Sequence, residues 1–188
     1  MHRRHGIWFG IAAGLLLAGT GEPRAQDPPH PAVDAIFADL TKPGSPGCAL
    51  GVYRAGKIIY AKGYGLANLE GSVPITPSTV FDVGSVSKQF TAASILLLEK
   101  QGKLRLDDDV RKYIPELPDY GENITVLQLL NHTSGLRDYV SLFQLAGIHF
   151  DNVTTDDDAL GIIARQKGLN FSPGSDWQYS NSGYLLSP

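Results

Sequence analysis

The feature that most constrains this chain is a change of hydrophobic period. Between Cys48 and Tyr64 apolar residues alternate, whereas from Ser85 onward they recur at helical spacing. Cys48–Tyr53 and Lys57–Tyr64 flank Arg54-Ala55-Gly56, which predicts a β-hairpin turned at glycine. A lone hairpin is marginal in water, so it is expected to join a larger sheet. The rest reads as helix and loop. A short amphipathic helix is expected over Ala32–Leu40, with Val33, Ile36, Phe37 and Leu40 on its apolar side. A loop follows over Gly71–Ser78, then a helix from Ser85 to Gln101 closed by Gly102. Its apolar residues exceed one stripe, so burial on several sides is expected. Thr125-Val126-Leu127-Gln128 has the form of a capping box, opening a helix through Leu130. Thr155 followed by Asp156, Asp157 and Asp158 opens another, running to Gly168. Phe171–Ser182 reads as loop before an apolar element at Gly183–Leu186. The fold class expected is α+β.

Residues 1–25 belong to a different regime. Arg3 and Arg4 precede an apolar stretch from Ile7 to Ala18, and small residues lead to Ala25. That order is a secretory signal peptide, the apolar stretch being short of the ~20 residues a membrane span requires. Residues 26–31 then form a proline-rich linker and residues 32–188 a single domain. The expectation is an exported protein, periplasmic or secreted, with no stable membrane anchor after cleavage. Cys48 is the only cysteine, which excludes an internal disulfide, and in its alternating context it reads as packing. The net charge of -3, without a basic stripe, gives no footing for nucleic acid. The acids at Asp107–Asp109 and Asp156–Asp158 read as helix-start residues rather than metal ligands, and no metal or cofactor is expected.

Chemistry concentrates at two places. Ser85 and Lys88 stand at i and i+3, with Cβ atoms about 5–6 Å apart on one helix face. This pair admits two readings: Ser85 as helix cap with Lys88 in solvent, or a nucleophile beside the amine that activates it. The second place is Tyr179-Ser180-Asn181. A tyrosine beside an ammonium ionises more readily and can exchange a proton with a serine. In extended backbone Asn181 points to the same side as Tyr179. Taken singly, either set also fits ordinary cap or loop residues.

Together, Ser85-x-x-Lys88 and Tyr179-x-Asn181 resemble the motifs of the penicillin-recognising serine hydrolases. The branch is that of class C β-lactamases, related esterases and D-Ala-D-Ala carboxypeptidases. "FDVGSVSKQFTAASILLLEKQGKLRLDDDVRKYIPE", "ITVLQLLNHTSGLRDY" and "FSPGSDWQYSNSGYLL" are similar to that family's wording over about residues 33–186. The resemblance implies a β-lactamase/transpeptidase-like fold, a helical region plus an antiparallel sheet of which only the N-terminal hairpin is present. It also implies that Ser85 forms an acyl-enzyme with its own N–H as one oxyanion donor. Lys88 would tune the proton inventory, Tyr179 act as base and then acid, and Asn181 orient the substrate amide. Ser85 would cap its helix as well. His132, in "LLNHTSGL", reads as structural. The substrate implied is a small molecule or a peptidoglycan peptide: a β-lactam, a D-Ala-D-Ala peptide or a small ester. The family's later Lys-Thr/Ser-Gly or His-x-Gly motif does not occur in residues 26–188. The expectation is therefore the N-terminal part of a longer enzyme, weakly active or inactive as given. The rival is a catalytically inactive truncated fragment or ligand-binding remnant.

Overall fold

A computed structural model describes residues 30–187; the signal peptide read over residues 1–25 and most of the linker lie outside them. The chain gathers into two units, one ending at Phe81 and one beginning at Asp82.

In the first unit, helix α1 (Pro31–Ile36) begins on a proline, whose missing N–H costs nothing at a helix start. It is shorter than the helix expected over Ala32–Leu40. Phe37 leaves helical geometry to stack on Tyr64, with ring centroids 4.6 Å apart, and Ala38–Thr41 continues as a 3-10 turn. Strands β1 (Cys48–Arg54) and β2 (Lys57–Tyr64) form the expected antiparallel hairpin. Its turn places Ala55 and Gly56 both at positive φ, matching the right-handed twist of the strands. The register slips between Val52 and Tyr53, making a bulge.

The hairpin stands without further partner strands among the described residues, as the resemblance implies. One expectation fails here. The stretch read as loop at Gly71–Ser78 holds strand β4 (Val73–Pro74), paired with β3 (Leu66–Asn68). The tight turn between them forms because Asn68 Oδ1 accepts the Gly71 N–H, and Pro74 is tolerated on an edge. The unit is tied by one carboxylate. Asp34 Oδ1 accepts from Lys62 Nζ at 2.7 Å, Tyr64 Oη at 2.8 Å and Tyr60 Oη at 3.3 Å. This joins α1 to β2, and both tyrosines are buried.

The second unit is helical: α2 (Lys88–Lys100), α3 (Val126–Leu130), α4 (Tyr139–Leu145), α5 (Asp156–Ala164) and α6 (Asn181–Leu185). Ile95, Leu104, Val110, Leu117, Ile124, Val126, Leu129, Leu130, Leu136, Ile163 and Leu186 make one contiguous core. The expected capping box forms at Thr125, and a second stands at Thr155. The Gln128 N–H donates to Thr125 Oγ1 while the Thr125 N–H donates to Gln128 Oε1, and Thr155 and Asp158 do the same. Helix α5 stops at Ala164 rather than reaching Gly168, because the Gln166 side chain turns back to donate to the Ile162 carbonyl. Asp109 caps the 3-10 turn Val110–Lys112, and Asp108 accepts from Tyr113 Oη, Lys112 Nζ and the Arg105 N–H. These bonds, the one from Tyr113 first, draw its carboxyl down to about 2.

Helix α2 is not buried on several sides. Ile95 faces the core, but Phe90, Leu96 and Leu97 are exposed, because the core elements approach it from one side only. No helix of the described residues is long and apolar enough to cross a membrane.

Candidate functional site

Ser85 lies in a 3-10 turn, Gly84–Ser87, that runs directly into α2. The expectation that Ser85 caps the helix is not met. The chain turns earlier, where Asp82 Oδ1 accepts the Gly84 N–H at 2.8 Å and Gly84 takes a positive φ. The Ser85 hydroxyl is thereby left for other partners. Lys88 Nζ donates to Ser85 Oγ at 3.1 Å, and Tyr179 Oη donates to the same oxygen at 2.8 Å. Lys88 Nζ also donates to Asn181 Oδ1 at 2.9 Å. Lys88 and Tyr179 therefore meet at the Ser85 hydroxyl, with Asn181 joined to them through Lys88, although Tyr179 lies 94 positions from Ser85.

The electrostatics follow from Lys88. Its Nζ sits 5.1 Å from the centre of the Tyr179 ring and 5.5 Å from that of Tyr184. Among the described residues it is paired with no carboxylate, so its charge acts on its aromatic neighbours. The Lys88 ammonium first, and the Ser85 hydroxyl second, hold the Tyr179 phenol below its ordinary value. Ser85 is exposed, Lys88 half-buried, and Tyr179 is 43% exposed, so the hydroxyl faces solvent from a charged and aromatic floor.

The scaffold under the site was not legible as such. Ser180 is extended (φ -142, ψ 125), which sends Tyr179 and Asn181 to one side and buries the Ser180 side chain on the other. The Asn181 N–H donates to Asp138 Oδ1, and the other oxygen of Asp138 accepts the Ser141 N–H at the start of α4. Ser182 Oγ donates to the Arg137 carbonyl at 2.7 Å and accepts the Tyr139 N–H at 2.8 Å. Helix α4 lies outside the helices expected from the sequence, although Asp138 as cap, apolar Tyr139, Leu142 and Phe143, and Gly147 beyond its end are the signals for it. Backbone bonds from Gly174 to Thr133 and from Asn170 to Gly135 hold the segment leading to Tyr179. Gly135 (φ +73) permits this, since any Cβ there would collide with the Phe171 carbonyl.

Comparison with known proteins agrees with the motifs. The Beta-lactamase family model matches residues 33–187. The chain is 37% identical over 133 residues to penicillin-binding protein 4* of Bacillus subtilis, covering 70% of this chain and 29% of that protein. It is 35% identical over 155 residues to a D-aminopeptidase of Gluconobacter oxydans, covering 82% of this chain and 28% of the other. The structure of an octameric penicillin-binding protein homologue from Pyrococcus abyssi superposes with a TM-score of 0.69 at 32% identity. That match covers 82% of this chain and 36% of the other. The chain thus spans less than a third of the length of these two curated relatives, and the fold it carries is part of the β-lactamase/transpeptidase-like fold. With the serine, lysine and tyrosine assembled on that fold, the chain belongs to the beta-lactamase family.

Proposed function

We propose that this chain carries the acylation machinery of a serine hydrolase acting on an amide or ester through an acyl-serine intermediate. One observation carries the reading: Ser85 Oγ lies within 2.8 Å of Tyr179 Oη and 3.1 Å of Lys88 Nζ. In the phenolate form Tyr179 takes the Ser85 proton, and Oγ bonds to the substrate carbonyl carbon. The tetrahedral intermediate collapses by breaking the C–N or C–O bond, and the phenol returns that proton to the leaving atom. Water then attacks the acyl carbon while Tyr179 accepts its proton. The acyl C–Oγ bond then breaks, and Tyr179 returns that proton to Oγ, which restores the Ser85 hydroxyl and the phenolate as the acid leaves. Lys88 stabilises the phenolate by its charge, and Asn181, which shares that ammonium, orients the substrate amide. The Ser85 N–H, in the first turn of a helical segment, is one donor to the developing oxyanion.

The substrates proposed are a β-lactam, a D-Ala-D-Ala peptide or a small ester. Relatives named for penicillin binding and for D-aminopeptidase activity support that range. An exported location, as read from residues 1–25, suits a peptidoglycan peptide. The test is covalent capture with a fluorescent penicillin or an activated ester, followed by peptide mapping. Wild type is expected to carry label on Ser85, Ser85→Ala none, and Tyr179→Phe to acquire it roughly 10²–10⁴ times more slowly. Label that survives in Ser85→Ala, or wild type that neither probe labels, overturns the reading.

A further inference from the structure

Resting on that reading, we propose that His132 is a positioning residue that fixes the Tyr179 phenol against Ser85 by gripping the backbone on both sides of Tyr179. The His132 carbonyl accepts the Gln178 N–H at 3.0 Å, and its Nδ1 accepts the Ser180 N–H at 3.2 Å. One residue thus holds the amides immediately before and after Tyr179. The imidazole also backs the phenol ring directly, with centroids 4.6 Å apart at a 32° tilt. Tyr184 and Trp177 close around the same imidazole, at 5.4 and 6.0 Å.

Two further features fit a residue held for this purpose. His132 has φ 61, left-handed backbone that few residues other than glycine adopt readily. Its Nδ1 accepts a bond only while unprotonated, which leaves the ring proton on Nε2. Burial first, and the facing Lys88 ammonium as well, hold the imidazole below its ordinary value. Lys88, Tyr179 and Tyr184 are the titratable groups that face it. Protonation would set an N–H donor against the Ser180 N–H and release the strand between Tyr179 and Asn181.

The experiment uses the 188-residue chain with ¹³C-labelled tyrosine, Tyr179 being assigned by comparison with Tyr179→Phe. In wild type Tyr179 is expected to titrate below ordinary tyrosine, and the Ser180 amide resonance to move as His132 titrates. His132→Ala should return Tyr179 to the ordinary tyrosine range and slow Ser85 labelling at saturating probe by roughly tenfold or more, within the ~10²–10⁴ that a placed base contributes. His132→Asn keeps an acceptor near the Nδ1 position and tolerates left-handed backbone, but lacks the ring. Its Tyr179 should titrate between wild type and ordinary tyrosine, with most of the labelling rate recovered. An unmoved Tyr179 titration in folded His132→Ala overturns the inference. Should that variant fail to fold, a wild-type titration in His132→Asn, or a Ser180 amide blind to His132, does the same. Wild type without label overturns the hydrolase reading instead, and leaves the titration arm to decide the placement of Tyr179.

Discussion

The two units solve the same problem with different means. The unit from Asp82 onward buries a contiguous aliphatic core, with Ile95, Val110, Val126, Leu129 and Ile163 almost wholly removed from water. The unit ending at Phe81 buries Tyr60, Tyr64 and Ile75, while Ile36, Val52, Tyr53, Ile58 and Ile59 stay exposed. Its tie is polar, a single carboxylate oxygen that accepts from one ammonium and two phenols. Hydrophobic burial is non-directional and cumulative, whereas a carboxylate hub is directional and depends on its charge. The site residues stand on the first kind of support.

If that contrast is right, truncation should separate the units. Ile163→Ala, at 1% exposure, should cost about 2–5 kcal/mol in urea unfolding, whereas Ile58→Ala in the hairpin should cost no more than about 1 kcal/mol. Equal losses would break the comparison. Thr125→Ala removes one arm of the capping box ahead of α3 and should cost about 0.5–2 kcal/mol; Thr125→Ser, which keeps the hydroxyl, should recover most of it. The smallest global effect belongs to Asp34→Asn, which should free α1 from the hairpin without unfolding the helical unit. Hydrogen exchange would then rise in residues 31–36 and stay level around Leu129. The pH dependence has a definite sign. Lys62 first, and Tyr64 next, hold the Asp34 carboxyl below its ordinary value. The contribution to stability is thus present above about pH 3.9 and disappears as pH falls through the lowered value. Protection of α1 in wild type should follow that course, and Asp34→Asn should be flat across it.

Local rules were legible in the sequence wherever the cause was local. The Ala55-Gly56 turn, the Thr125 capping box and the helix start at Thr155 follow from residues within a few positions of one another. The bearing of α2 was not local. Its sequence shows that Phe90, Leu96 and Leu97 are apolar, but which face meets the core depends on elements far along the chain. The site divides in the same way. Ser85, Lys88, Tyr179 and Asn181 were legible through the resemblance of their two motifs to a known family, since type and spacing alone also fit cap and loop residues, and the geometry places them close together. Asp138, Ser182 and the grip of His132 were not, because each acts on backbone more than 40 positions away, and no motif records such a bond.

The 94-residue separation between Ser85 and its phenol has a consequence during synthesis. At ~5–20 residues per second, the ribosome takes roughly five to twenty seconds to pass from one to the other. Throughout that interval Ser85 is an unassisted alcohol, no more reactive than any other serine on the nascent chain. On the proposed reading, the assisted hydroxyl forms only once the segment that ends at Asn181 has been made and packed, so the order of the residues along the chain is in effect a safety catch.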